Sequence, residues 1–256
     1  GEMACGEYGE GKMSSPRQIY AFINKYFDRR NLIKDKKFRA LVTTGPTREY
    51  LDPVRYISNE SSGKQGYEVA LALNKLGVNT KVIAGPSNLI TNKGVKIKKV
   101  ISAKEMMLEV KKSLPVDIAV CAAAVSDYKP ITKSKNKIKK DSFNNKEIKL
   151  EKNLDILEYL CKTNKNRPKI VIGFSAETEN LIINSKKKIK EKYCDLIIAN
   201  DVSKKNIGFN SDYNSVTIID KLGKTQSINK NKKSFIANEI AKIILDKLLM
   251  NDKNIS

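Results

Sequence analysis

The sequence predicts an α/β fold built on a mostly parallel sheet with helices on both faces. Three observations carry that prediction. From Phe38 onward, short apolar, β-prone runs alternate with longer stretches of helical spacing, the pattern of a layered α/β domain. The first run, Ala40-Leu41-Val42-Thr43, leads into a Gly-, Ser- and Thr-rich loop and then a helix start, an arrangement suited to holding phosphate. That loop, from Thr44 to Gly63, is far longer than the roughly two to six residues of an ordinary βα connection. Long loops at the carboxyl ends of parallel strands are where ligand sites form.

Taken in order, residues 1–35 do not read as the start of a domain. Gly1 to Met13 is glycine-rich without apolar periodicity, Ser15-Pro16 caps a helix near Arg17–Phe27, and Asp28 to Lys37 is a charged linker. The main domain is expected over 36–256. Strands are predicted at Ala40–Thr44, Asn79–Ala84, Val95–Val100, Ile118–Ala122, Ile170–Phe174, Leu196–Asn200 and Ser215–Ile219. Helices are predicted at Gly66–Leu76, Ala103–Leu114, Leu154–Thr163, Thr178–Lys192 and Lys232–Leu249. Ser102 to Glu105 has the capping-box pattern. Ser203–Asp212 reads as an irregular loop, followed by a hairpin centred on Lys221–Lys224. The lysine- and asparagine-rich segment Tyr128–Leu150 breaks the rhythm, as a β-hairpin arm or a mobile flap.

Composition narrows the chemistry. The net charge of +21 comes from lysines spread over the whole chain, without aromatic residues interleaved among basic clusters. A single-strand nucleic-acid platform is therefore not expected, and a pull on anionic small substrates is. Cys5, Cys121, Cys161 and Cys194 are widely separated with no CxxC spacing, which argues against zinc and against a disulfide framework. No run approaches the roughly 20 apolar residues of a membrane span, and no signal-peptide core is visible, so a cytoplasmic location is expected. The chain contains no histidine, so proton transfer falls to Lys, carboxylates, Tyr or the substrate.

Four polar clusters follow predicted strands. The opening loop is one. In Cys121-Ala122-Ala123-Ala124-Val125-Ser126-Asp127-Tyr128 the small residues suit either a flat group lying on the backbone or close helix–sheet packing. Asp127 there is a metal ligand, a ribose partner, or a turn carboxylate. Gly173-Phe174-Ser175-Ala176-Glu177-Thr178 offers Phe174 as a stacking surface or core residue, with Glu177 opening a helix. The fourth is Ala199-Asn200-Asp201-Val202-Ser203. Lys188 and Lys192, four apart on one helix face, are solvated charges unless something anionic faces them. An NAD(P)-type oxidoreductase is disfavoured, because the first turn lacks GxGxxG and no acidic residue follows about 20 positions on at a second strand end.

The ordered series TTGPTRE, DPVRYISNESSGKQGYEVA, AAAVSDYKP, KIKK, LEKNLDIL, IGFSAETE, DLIIANDVS and GFNSDYNSVTII closely resembles the phosphopantothenoylcysteine synthetase half of the bacterial bifunctional coenzyme A biosynthesis flavoproteins. The resemblance spans about residues 38 to 249. It implies a three-layer Rossmann- or ribokinase-like domain that forms a homodimer through arm strands. It also implies a two-stage reaction using CTP and Mg2+: 4'-phosphopantothenate attacks the α-phosphate to give an acyl cytidylate, and L-cysteine then displaces CMP.

By the same resemblance Lys137 opens KIKK as the catalytic lysine, and Asn59 supports the cysteine step. Arg55, placed one helical turn before Asn59, contacts the anionic substrate. CTP binding falls to Cys121, Ala122, Ala123, Asp127, Lys137, Leu154, Asp155, Ile156, Leu157, Phe174, Lys188 and Lys192. Asp127 is the expected metal ligand, and phosphate oxygens are expected at Gly45, Ser61, Ser62 and Gly63. Residues 1–35 resemble the end of a preceding decarboxylase domain, with Cys5 as its reactive cysteine. FMN is expected only in the missing body of that domain. Cys121, Ser175 and Leu154 depart from the family pattern, which has more often an apolar residue, alanine and proline there.

Overall fold

The computed structural model describes residues 13–88, 94–139, 147–163, 165–202 and 211–253. The chain divides into two compact units between Lys37 and Phe38. In the first lies helix α1 (Pro16–Lys36), whose Ser15 hydroxyl accepts from the Gln18 amide at 3.3 Å. The predicted charged linker from Asp28 onward is instead helical as far as Lys36. Those residues include no glycine or proline, and Arg29, Arg30, Leu32, Lys34 and Lys36 among them are strong helix formers.

The second unit runs, in chain order, β1 (Arg39–Thr44), β2 (Arg48–Tyr50), β3 (Tyr56–Ser58), α2 (Lys64–Lys75), β4 (Asn79–Ala84), β5 (Lys96–Lys99) and α3 (Ala103–Ser113). It continues through β6 (Ile118–Cys121), β7 (Tyr128–Pro130), β8 (Leu150–Lys152), α4 (Ile156–Lys162), β9 (Ile170–Glu177), α5 (Leu181–Lys192) and β10 (Leu196–Asp201). It closes with β11 (Tyr213–Asp220), β12 (Thr225–Lys232) and α6 (Lys233–Lys253). The main sheet has the order β12-β11-β10-β9-β6-β1-β4-β5, parallel from β10 to β5, with β11 and β12 antiparallel at one edge. The α/β, mostly parallel architecture expected from the sequence is therefore present.

Burial on both faces explains the continuous apolar runs of the central strands. Leu41, Ala119, Val171, Ile197 and Ala199 pack with Met106, Val110, Leu157, Leu160 and Ile189 of α3, α4 and α5. On the other side α2 and α6 pack against each other, α2 over β1 and β4 and α6 against β11 and β12. The edges are blunted by charge, as β5 is Lys-Ile-Lys-Lys and β12 is largely exposed and polar.

Most predicted boundaries move by a residue or more, and one shift bears on the site. The helix expected at Thr178 begins at Leu181, because β9 stays in register with β10 as far as Glu177↔Asp201. Glu177 is thus a strand residue, its carboxylate accepting from Ser175 Oγ at 2.5 Å and Asn184 Nδ2 at 3.2 Å. The long opening loop folds into the small antiparallel pair β2–β3, and the base of the Tyr128–Leu150 segment is the pair β7–β8. The cap forms with its return bond shifted by one residue: Glu105 N–H donates to Ser102 Oγ at 3.2 Å, and Glu105 Oε2 accepts from the N–H of Ile101, just ahead of the cap.

The sheet order places the ligand edge. From β1 the chain moves outward to β4 and β5, then returns to lay β6 against the other side of β1. This reversal makes the carboxyl ends of β1 and β6 the crevice where an open α/β sheet binds its ligand.

Candidate active site

At the crevice the loops after β1 and β6 are laced together by backbone. Ala122 N–H donates to Thr43 O at 3.1 Å, Ala124 N–H to Gly45 O at 2.9 Å, and Thr47 N–H to Ala124 O at 3.3 Å. Thr47 Oγ1 accepts from Ser126 N–H, and Asn59 Nδ2 donates to Val125 O at 3.0 Å. Gly66 allows α2 to start against this wall: a Cβ there would lie 2.5 Å from Thr44 Oγ1 and 2.9 Å from the Cβ of Ala122. Thr44 Oγ1 donates to Gly63 O at 2.6 Å, fixing the turn into the helix. Gly63 has φ 72 and, as the N-cap, brings no side chain of its own to α2, while Ser61 Oγ and Ser62 Oγ accept from Gly63 N–H at 3.2 Å and Lys64 N–H at 3.5 Å. Its first turn is therefore set up to receive an anion.

Two cavities meet here. One, of about 570 Å3, lies over the start of α2; among its walls are Asn59, Ser61, Ser62, Gly63, Lys64 and Lys233. The other, of about 540 Å3, is walled by Cys121, Asp127, Leu154, Asp155, Ile156, Leu157, Glu158 and Lys192. Ala123, Val125, Asp127, Phe174 and Lys188 line both, so the two chambers share a wall.

The second chamber gathers most of the residues expected to hold nucleotide, although they come from β6 and the loop after it, the start of α4 and the residues just before it, β9 and α5. Its cations differ in their ties. Lys188 Nζ donates to Phe174 O at 3.3 Å, whereas Lys192 Nζ sits 2.9 Å from Asp155 and 2.7 Å from Glu158. Hydrogen bonds from Lys162 and Lys192 hold the Glu158 carboxyl down at about 2, and the two carboxylates raise Lys192 in turn. Asp155 also caps α4 by accepting from Glu158 N–H at 2.8 Å. Burial pushes the Cys121 thiol up, so it is a neutral wall residue.

Other expected residues lie apart. Gly45 lines neither chamber; with φ +76 it packs against the backbone of Gly85. Arg55 and Asn59 are separated by strand β3, not by a helical turn, and Arg55 lines neither chamber. Its guanidinium turns back to the buried Asp52 and donates to Ile138 O at 2.8 Å. The exposed Lys137 precedes that tethered residue. Arg55 pulls the Asp52 carboxyl well below the usual range, helped by three backbone N–H donors against the effect of burial. Cys5 lies outside the described residues.

Sequence reasoning missed Asp52, Glu158 and Lys233. Asp52 heads the DPVRYISN stretch without being singled out there, and Glu158 lies just past LEKNLDIL, which ends at Leu157. Lys233 does leave a signal, since a lysine opening a helix sits at the end where cations are unfavourable.

For Mg2+, no group of three or more His, Cys, Asp or Glu side chains among the described residues could form a protein cage. Asp127, on the shared wall, fits the usual magnesium pattern of one or two carboxylates supplemented by substrate phosphates and water. No helix among the described residues is long and apolar enough to cross a membrane.

The family model described as the DNA/pantothenate metabolism flavoprotein C-terminal domain matches residues 35–248. The coenzyme A biosynthesis bifunctional protein CoaBC of Vibrio vulnificus is 40% identical over 246 residues, covering 95% of this chain and 60% of that protein. CoaBC of Escherichia coli K12 is 42% identical over 219 residues, covering 84% and 53%. The chain thus spans less than two thirds of these relatives. A crystal structure of the C-terminal domain of CoaBC superposes with TM-score 0.69 at 35% identity, over 82% of this chain and 95% of that one. A Cab2 mutant in complex with phosphopantothenate-cysteine shares the fold, with TM-score 0.67 at 16% identity over 94% and 97%.

Proposed function

This chain belongs to the family of the DNA/pantothenate metabolism flavoprotein C-terminal domain, and from that premise we propose that it is a phosphopantothenate–cysteine ligase acting in coenzyme A biosynthesis. The reaction condenses 4'-phosphopantothenate with L-cysteine. CTP activates the carboxylate as an acyl cytidylate with loss of pyrophosphate, and the cysteine amine then attacks the acyl carbon as CMP leaves. One observation carries the reading: two chambers of similar size share a wall at the switch point of the sheet. A nucleotide in one and an acid in the other would meet at Ala123, Asp127 and Lys188.

The residues divide the work accordingly. Phe174, Ala123 and the Leu154–Leu157 loop flank the nucleoside, and Lys188 reaches the phosphates from either chamber. Ser61, Ser62 and the open α2 turn take phosphate oxygens, supplying oriented donors that need no reorganisation. Asn59 holds the acyl group for the amine. Lys137, anchored through Ile138 to the Asp52–Arg55 corner, offsets charge as the carboxylate attacks. Bound Mg2+, with Asp127, would supply Lewis-acid polarisation of the triphosphate.

The wider assignments belong to the same proposal: cytoplasmic location, a homodimer paired through the β7–β8 arm, and a decarboxylase part with its own FMN in the full-length protein. No residue of this chain is assigned to the flavin. The test is pyrophosphate release on mixing the protein with CTP, 4'-phosphopantothenate and Mg2+. Lys137→Gln abolishes release. Asn59→Asp releases pyrophosphate on adding the first two substrates, accumulates the acyl cytidylate, and fails to consume cysteine. Absence of an acyl cytidylate from both wild type and Asn59→Asp sinks the reading.

A further inference from the structure

The chamber over α2 holds a lysine in an unusual place. Lys233 is the first residue of α6, and the residue is 3% exposed while lining the chamber. Two features make a cation there costly. Burial removes its hydration, and the N-terminal end of α6 presents the positive end of a helix dipole. Around it are Lys64 of α2, Asp212 just before β11, and, lining the same chamber, Lys188 of α5, Glu60 and Asp127. Lys232 precedes it in β12. Asp212 is engaged in an ion pair with Lys64.

The backbone is tied in as firmly. Lys233 N–H donates to Asp212 O at 2.9 Å, and Gln65 Nε2 donates to Lys233 O at 3.3 Å. Asn214 Nδ2, also on the chamber wall, donates to Gln65 Oε1. The start of α6 is thus fastened to the start of α2. A bound phosphoryl group between them would meet two helix N-termini and two ammonium groups.

We propose that Lys233 is an anion-binding residue of this site, closing on a phosphoryl group lodged against the first turn of α2. The identity of that group as the phosphate of CTP, pyrophosphate or 4'-phosphopantothenate rests on the ligase reading; the anion site itself rests on the chamber and its lysines. Binding carries a proton with it. Burial pushes the Lys233 ammonium down to about 8, with Lys64 adding to the effect and Asp212 opposing it. A bound anion favours the charged form, so near pH 8 the site takes a proton from solvent as it fills.

Pyrophosphate is the probe, measured by titration calorimetry from pH 7 to pH 9 in buffers of different ionisation enthalpy. Lys233→Met weakens binding at least tenfold. Lys233→Arg keeps the charge and most of the affinity, but its guanidinium cannot titrate. Wild type therefore takes up more protons per pyrophosphate than the Arg variant, a fraction of one proton that grows as pH is raised from 7 to 9. Proton exchange by pyrophosphate itself is common to both proteins and cancels. Should Lys233→Met fold poorly, the Arg comparison alone decides. Equal affinity in the Met variant, equal proton counts in wild type and Arg variant, or no pyrophosphate binding by wild type overturns the proposal. A ligase assay on the same wild-type sample separates the two ideas. Lack of product with Lys233-dependent binding removes the ligase reading alone, and product with binding indifferent to Lys233 removes this inference alone.

Discussion

Arg55 places Nε and Nη2 on a single carboxylate oxygen of Asp52, at 2.9 and 2.6 Å, while the other oxygen accepts the backbone N–H groups of Val54 and Arg55. The same Oδ2 takes Ile138 N–H at 3.2 Å, so this pair is also the anchor of the Lys137 segment. Asp52→Asn removes the charge while keeping the shape. Activity falls on the order of tenfold to a hundredfold, as expected when a reacting group drifts by about an ångström, and mainly in kcat. Because the Asp52 pKa is depressed, its stabilisation is present above the ordinary carboxylate range and is lost as pH falls through the lower folded value. The stability gap between wild type and Asp52→Asn therefore narrows in acid, which denaturant titrations at pH 7 and below pH 3 check.

Two glycines at the site should respond differently to alanine. At Gly66 the new methyl meets Thr44, whose β-branched side chain is stiff and hydrogen-bonded, and Ala122 on the opposite strand end. Gly66→Ala costs about 1–3 kcal/mol and displaces the α2 turn, so nucleotide affinity drops with stability. At Gly173 the methyl meets only the ends of Leu157 and Ile197, at 2.7 and 2.8 Å, which can rotate aside. Gly173→Ala retains more of both properties, and paired thermal melts with CTP titrations read the difference.

Lys188 and Lys192 separate binding from scaffolding. Lys188→Ala weakens CTP binding about tenfold with little change in melting temperature. Lys192→Ala breaks the link from α5 to Asp155 and Glu158 on α4, lowering the melting temperature by roughly 2–4 °C. Since Glu158 is depressed to about 2, that contribution persists at pH 5 and disappears only as pH approaches 2. Melts across this range for wild type and Lys192→Ala check the sign.

Lys233 makes the opposite pH prediction. Its ammonium is lowered from 10.5 to about 8, so between those values the unfolded chain holds more protons than the folded one. Wild-type stability attributable to this residue therefore rises from pH 8 to pH 10.5. Lys233→Met is more stable than wild type at pH 7, and the advantage shrinks as pH rises through that interval. Denaturant titrations at pH 7 and pH 10 measure it.

The parallel core was readable because burial on both faces writes itself as unbroken apolar runs. Asn79–Ala84 is observed with the bounds expected from its sequence. Glu177 was misread because a carboxylate ahead of a lysine-rich periodic stretch mimics a helix start, whereas pairing with β10 keeps it extended. That pairing is non-local and leaves no mark in the segment itself. The same reason hides part of what Asp52 and Glu158 do: their ties to Ile138 and Lys192 are brought in by folding, whereas Arg55 and Lys162 stand three and four residues away. Lys233 was hidden by abundance, being one of 49 basic residues; its place at a helix start is the one local sign, and burial is what sets it apart. The strand–loop–helix at the head of the domain was legible because its glycines and hydroxyls are local requirements of a turn.

The wall common to both chambers has a consequence for inhibitor chemistry. A bisubstrate analogue joining a cytidine to a pantothenate-like acid through a short non-hydrolysable linker would occupy both compartments at once. Its second half would bind at the high effective concentration imposed by tethering, giving an affinity beyond that of either fragment. Since residues of the partition face both sides, a substitution such as Lys188→Ala would erode both halves of that compound together.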